Sequence, residues 1–309
     1  MKGVIILPKY LIDWWPPVED SAGLNFDNVL SADAQLYYAL RDTFGFELRY
    51  ADEVDVDSDT DVVCMFGVPY HNRPSLIPGL VDLNKRIKLV MWPGDLQCYG
   101  HKECLDSKLK VFERCDAIVS FSYEYFKQQY PQFMGKHILM SKFFSPDERY
   151  TQFSLNESPI MKCLLSGSLN NEVYPLRSFL LNHRTRGSKI AYSKPTLVGN
   201  NYSRQLHSYF CGFTCSSIFN YVLAKCLEIT ATGSLLLVEE CADLKKTGLI
   251  PYEHYVPVTK NNILLKIEDC LHEPGDYRNI RLKGMEFVRK NHGIANRVEQ
   301  TKEIFNRLW

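Results

Sequence analysis

Two charged residues set three apart, Lys225 and Glu228, offer the clearest chemistry in this chain, inside the run Phe219-Asn-Tyr-Val-Leu-Ala-Lys-Cys-Leu-Glu-Ile-Thr-Ala-Thr-Gly-Ser-Leu-Leu-Leu-Val-Glu240. A glutamate can accept hydrogen bonds from two neighbouring hydroxyls, such as those of a ribose, and an ammonium can hold a diphosphate. Tyr221, Ala224, Leu227 and Glu228 recur at helical spacing, with Ala231 one turn past Leu227, so the pattern predicts a helix. Gly233 supplies the left-handed residue at which helices commonly end, and residues 234–238 read as a buried strand. Asn220 precedes Glu228 by two turns, which would put both side chains on one face. Lys225 falls in the N-terminal half of the helix, where the dipole also favours an anion. The plain alternative is a Glu228 that only caps or salt-bridges within its helix.

Other candidates stand at strand ends. Residues 161–165 read as a strand running into the loop Ser166-Gly167-Ser168, and Tyr174-Pro-Leu-Arg177 opens a helix with Pro175 in its first turn. Small residues after a strand let a phosphate approach backbone N–H groups. Arg177 would add a cation, with a surface arginine after a turn as the competing reading. The loop has no Gly-x-Gly-x-x-Gly pattern, which disfavours a dinucleotide-binding dehydrogenase. In the first half, residues 8–28 carry Asp13, Trp14, Trp15, Glu19, Asp20 and Asn25. Indole faces suit sugar rings and carboxylates accept sugar hydroxyls, though adjacent tryptophans serve equally as a plug packed on the domain. After another strand, Trp92-Pro-Gly-Asp95 and then His101 offer an acid and an imidazole. Asp95 is a candidate base, or an aspartate satisfied within its own turn. His71 and His207 stand alone and read as structural.

Such groups need a scaffold, and the N-terminal half provides one. Short apolar strands (3–7, 47–50, 61–66, 88–92, 116–120 and 137–140) alternate with helical segments (32–44, 76–84, 104–113 and 123–129). This is the order of a doubly wound parallel sheet, in which ligands bind beyond the carboxyl ends of the strands. Residues 143–149 and the turn-rich Asn156-Glu-Ser-Pro159 read as an interdomain linker.

For 309 residues, two domains of about 150 residues each are the default expectation. Hydrophobic residues at 45% and charged residues at 23% place the chain among ordinary globular proteins. Lys plus Arg and Asp plus Glu both number 36, so no net field draws nucleic acid or an anionic membrane. The densest basic stretch, 182–189, reads as a solvated loop. No cysteine pair has zinc-type Cys-x2-Cys spacing, and no run approaches the ~20 apolar residues of a membrane span. Residues 4–7 are too short for a secretory core, so buried reduced thiols and a cytoplasmic location are expected.

In order and type, the C-terminal features resemble the donor domain of GT-B glycosyltransferases of the "glycosyl transferases group 1" type, related to glycosyltransferase family 4. There the helix reads roughly Lys-x-x-Glu-x-x-Ala-x-Gly before an apolar strand, matched here by Lys225, Glu228, Ala231 and Gly233. The resemblance covers about residues 160–300, including 248–256, which is similar to the family's loop before its last strand. It implies an α/β fold of two Rossmann-like, doubly wound domains facing across a cleft. Residues 1–145 would form the acceptor side, 155–295 the nucleotide-sugar donor domain, and 296–309 a helix packing back toward the N-terminal domain. It also implies donor binding by Ser166, Gly167, Ser168, Arg177, Asn220, Lys225 and Glu228. Asp13, Trp14, Trp15 and His101 become candidates for the acceptor, and Asp95 and Lys225 for catalysis. Related retaining enzymes carry a Glu-x7-Glu pair; the first position here is the amide Asn220, which leaves the stereochemical outcome open.

The expected reaction moves a sugar from a nucleoside-diphosphate sugar to a glycan or small-molecule acceptor, as in glycan biosynthesis. No resident cofactor and no metal are expected, since Asp55-Val-Asp57 and Asp57-Ser-Asp59 fall in an exposed acidic connection. Nucleic acid and membrane spans are not expected partners or features. The alternatives are a GT-B-shaped nucleotide-sugar 2-epimerase and a non-catalytic nucleotide- or sugar-binding protein.

Overall fold

The computed structural model describes residues 1–8, 32–67, 76–94, 96–97, 102–144, 147–184, 188–193 and 199–309. They form two compact units, each built on one parallel sheet. Unit 1 takes in the first strand, Asp33–Met140 and Arg297–Trp309; unit 2 takes in Ser141–Asn296.

Unit 1 contains β1 (Gly3–Pro8), α1 (Ala32–Phe44), β2 (Glu47–Ala51), β3 (Val62–Phe66), α2 (Leu76–Val81), β4 (Lys88–Trp92), α3 (Lys102–Arg114), β5 (Ala117–Ser120), α4 (Tyr123–Gln129) and β6 (His137–Leu139). The sheet order is β2-β1-β3-β4-β5-β6 with every pair parallel. A central strand covered on both faces needs apolar side chains on both, hence an unbroken run rather than an alternating one. Val62 to Phe66 is such a run, and all five residues are buried. Phe66 and Trp92 pair across β3 and β4 and stack with centroids 4.5 Å apart. The strands fall within a residue or so of the sequence reading. Helix α2 stops at Val81 rather than 84; Pro78 and Gly79, both poor helix formers, stand in its middle.

Unit 2 contains α5 (Asp147–Thr151), β7 (Ile160–Leu165), α6 (Pro175–Asn182), β8 (Ile190–Tyr192), α7 (Gly199–Ser208), β9 (Tyr209–Thr214), α8 (Ala224–Ala231), β10 (Leu235–Glu239), β11 (Val256–Val258), α9 (Ile263–His272) and α10 (Arg278–Asn291). Its sheet runs β11-β10-β9-β7-β8, again parallel throughout. Side chains alternate across it as strand geometry requires. Leu235 and Leu237 pack with Leu176, Phe213 and Ile267 on one face, Leu236 and Val238 with Leu227, Ile229 and Val288 on the other. Besides α5, the sequence reading lacks β8, only three residues long, the polar α7, and β9, interrupted by Gly212. In the stretch expected as a linker, Phe143 and Phe144 are buried, the Phe144 N–H bonds the His292 carbonyl, and α5 starts at Asp147 and carries the buried Tyr150.

The last helix, α11 (Ile294–Leu308), belongs to unit 1 from Arg297 onward. There Phe305 meets Phe44 edge-on at 5.2 Å and Phe46 at 5.6 Å. The nine described cysteines are all free and buried. Among the described residues no helix is long and apolar enough to cross a membrane.

Candidate functional site

Strand β7 has β8 on one side and β9 on the other, so the strand order of unit 2 reverses there. In open parallel sheets the crevice at such a reversal, beyond the carboxyl strand ends, is where ligands sit. The loop Ser166-Gly167-Ser168 leaves β7 at that point. Gly167 has φ +97, a backbone state that side chains with a Cβ rarely adopt. There is no room for one either: a Cβ would stand 2.7 Å from Cε of Lys225 and 2.9 Å from Nη1 of Arg177.

Arg177 reaches this loop from the first turn of α6, which Pro175 opens at its first position. The guanidinium is not at the surface: the residue is 1% exposed. Its Nη1 donates to the Ser168 carbonyl at 3.2 Å and its Nη2 to Oγ1 of Thr214, the last residue of β9, at 3.0 Å. The group also lies over the Tyr174 ring, 4.2 Å from its centroid. Arg177 thereby ties the glycine loop to the end of the neighbouring strand. Its Nε is buried without a hydrogen-bond partner, and among the described residues no carboxylate pairs with it.

Lys225 sits in the first turn of α8, where helix N–H groups and the dipole already favour negative charge. Its Nζ donates to Oη of Tyr202 at 3.2 Å, lies 4.9 Å from the Tyr202 ring centroid, and stands 4.0 Å from Oε2 of Glu228. Burial opposes the Lys225 charge, but the Tyr202 and Glu228 oxygens outweigh it and hold the ammonium above its ordinary pKa. The Oε2 of Glu228 is buried and has no hydrogen-bond partner. Tyr150 faces that carboxylate; burial, and then the Glu228 charge, push its phenol well above the usual range. Tyr150 is fixed in turn by Arg289 of α10, whose Nη2 donates to the Tyr150 and Phe153 carbonyls and whose Nε donates to that of Ala231 at the end of α8.

The structure therefore gathers Ser166, Gly167, Ser168, Arg177, Lys225 and Glu228. Asn220 departs from the expectation. Helix α8 begins at Ala224, not at 219, and Asn220 precedes it in a turn with φ 62, its N–H bonded to the Ser217 carbonyl. A left-handed residue closing that turn stops helical geometry from extending back to it, so the two-turn relation to Glu228 does not hold. Gly233, with φ +79, does end the helix before β10. His207 is structural: Nδ1 bonds the Thr232 carbonyl at 3.0 Å and the ring stacks on Phe153. Asp57 and Asp59 both bind Nζ of Lys2, at 2.8 and 2.7 Å. Asp13, Trp14, Trp15, Asp95 and His101, with His71, lie outside the described residues.

Sequence reasoning missed Tyr202, Tyr150 and Thr214. Tyr202 stands in a largely polar helix, four residues before the buried Leu206, and nothing in the sequence marks it as a site residue. An aromatic within the charged stretch Asp147-Glu-Arg-Tyr150 was the one available signal for Tyr150.

Two parallel-sheet α/β units with these strand orders make the fold of the GT-B glycosyltransferases. Among solved structures, sucrose-phosphate synthase from Thermosynechococcus elongatus matches 100% of this chain and 99% of its own, with a TM-score of 0.61 at 11% identity. An α1,3-fucosyltransferase matches 98% of this chain and 90% of its own, with a TM-score of 0.59 at 11% identity. A pneumococcal O-GlcNAc transferase, solved in complex with UDP and GlcNAc, matches 80% of this chain and 57% of its own, with a TM-score of 0.50 at 10% identity. No protein-family model matches the sequence, and no curated protein does so either. At such identities the likeness is one of fold.

Proposed function

We propose that unit 2 binds the nucleoside diphosphate of a nucleotide sugar and that the protein transfers the sugar to an acceptor. The observation that carries this reading is the convergence of Arg177 and Lys225 on Gly167, within 2.9 Å of where its Cβ would stand. A buried guanidinium without a carboxylate partner beside a second cation leaves a local excess of positive charge, which is costly unless an anion compensates it. The absence of a side chain at Gly167 lets both cations close on the loop, whose backbone N–H groups add to the charge a phosphate would meet.

Glycosyl transfer breaks the anomeric C–O bond, giving a sugar with oxocarbenium character and negative charge on the departing β-phosphate. Lys225, Arg177 and the amino end of α8 oppose that charge, so no divalent metal takes part in the proposed mechanism. Glu228, whose Oε2 stands 4.0 Å from Nζ of Lys225 and accepts no hydrogen bond, takes the ribose hydroxyls. The acceptor is a glycan or small molecule held by groups of the N-terminal half. Asp95 is its base if the reaction inverts, and no protein base is required if it retains. The group 1 relationship and a cytoplasmic setting belong to the same reading.

A thermal-shift screen over UDP-, GDP- and dTDP-sugars identifies the donor. Calorimetry with the matching nucleoside diphosphate then compares wild type with Glu228→Ala. Losing hydrogen bonds to a charged group, each worth about 1.5–3 kcal/mol, should weaken binding at least about tenfold while the fold persists. Equal affinity in the two proteins would remove Glu228 from the ribose.

A further inference from the structure

Tyr202 lies where three elements of unit 2 meet. It belongs to α7, and its Oη is 3.2 Å from Nζ of Lys225 on α8 and 3.2 Å from Oγ of Ser166 at the end of β7. The bonding pattern follows from the chemistry of the partners. An ammonium only donates, so the phenol oxygen must accept from Lys225; its own proton is then free for the Ser166 oxygen. Both the oxygen and the proton of one hydroxyl are used, which fixes where Nζ sits relative to the glycine loop. Without it, a four-carbon stem with many rotamers has to be ordered at the moment of binding, at a cost in side-chain entropy.

We propose that Tyr202 is the positioning residue of the diphosphate site: it holds the Lys225 ammonium, charged and pre-aimed, against the Gly167 loop. The inference rests on the nucleotide-sugar reading above and adds a residue to it. The phenol itself stays neutral, since burial raises its pKa against the opposing pull of Lys225. Tyr202 makes no claim on the ribose, which is left to Glu228, or on the base. Its effect is therefore confined to ligands that carry phosphate, and passes through Lys225.

The test is a double-mutant cycle of Tyr202→Phe, Lys225→Ala and the double variant, read by calorimetry. The probes are UDP, GDP, ADP and dTDP, and the nucleoside of whichever binds wild type best. Tyr202→Phe keeps the ring, and its melting temperature without ligand shows whether it folds; Ser166→Ala removes the other half of the bridge should it not. Tyr202→Phe should weaken the diphosphate about three- to tenfold, through the lost pre-organisation of the Lys225 side chain rather than a lost contact to the ligand, and leave the nucleoside unchanged. In the Lys225→Ala background the same change should cost nothing. Equal losses in both backgrounds, an equal loss for the nucleoside, or no loss where Lys225→Ala has one, overturn the positioning role while the site stands. No binding of any of the four diphosphates to wild type overturns the nucleotide-sugar reading and this inference together.

Discussion

Gly167 and Lys225 are in direct contact, with the space for a Cβ on the first filled by Cε of the second at 2.7 Å. The contact joins the end of β7 to the first turn of α8, so the loop that would receive a phosphate and the cation that would neutralise it are built as one piece. The glycine has two reasons to be there, its left-handed φ of +97 and the missing volume.

Gly167→Ala separates these demands from surface effects. A left-handed alanine costs roughly 1–2 kcal/mol, and the added methyl displaces the lysine stem and crowds the Arg177 guanidinium. The melting temperature should fall by several degrees, and nucleoside diphosphate affinity at least about tenfold, the weight of one charge-assisted hydrogen bond. Gly135→Ala is the control, because nothing lies within 4 Å of its Cβ position. Differential scanning calorimetry and titration calorimetry read the two effects; a Gly167→Ala protein with wild-type affinity would detach the loop from the phosphate.

Much of this was legible in the chain, and the reasons differ by element. The buried strands announced themselves because a two-sided parallel sheet demands continuous apolar runs, as in Val62–Phe66 and residues 235–238. Lys225, Glu228 and Gly233 were readable because helix spacing is local. Asn220 misled for the same reason: periodicity extends a helix backward on paper, whereas a left-handed turn at 217–220 ends it in space. The roles of Tyr202 and Tyr150 were hidden because they act through tertiary contacts, between residues 23 and 78 positions apart in sequence. Arg177 was visible as a residue but not as a buried one; only the fold shows that it braces the loop from beneath.

His137 gives unit 1 a pH-dependent term. Its Nε2 lies 2.8 Å from Oγ of Ser120 and its ring stacks on Phe126 at 4.2 Å. Burial lowers its pKa from the ordinary 6.5 to about 4. Above pH 6.5 the imidazole is neutral whether the chain is folded or not, and it contributes no pH dependence. As pH falls from 6.5 toward 4, the unfolded chain binds a proton that the folded one refuses, so stability is lost through that window. The loss is on the order of 2 kcal/mol once partial exposure is allowed for. Urea denaturation of wild type and His137→Gln at pH 7.5 and 4.5 should show the wild type losing more; parallel losses would mean that His137 titrates normally.

Lys225 carries the most exposed claim, that transfer proceeds without a divalent metal. The leaving phosphate bears more charge in the transition state than in the ground state, so a cation acting on it should appear in turnover more than in the Michaelis constant. Removing one such preorganised contact typically costs about 2.7–4 kcal/mol, or roughly two to three orders of magnitude in rate. Lys225 is suited to this because Tyr202 and Glu228 hold it protonated despite its burial, and the amino end of α8 adds to its field. With the cognate donor in excess EDTA, wild type should turn over at its full rate and Lys225→Ala at a hundredth of it or less. Activity that EDTA abolishes and manganese restores would replace this mechanism with a metal-assisted one. An undiminished Lys225→Ala enzyme would instead leave the buried Arg177 and the helix amino end as the groups opposing the phosphate charge.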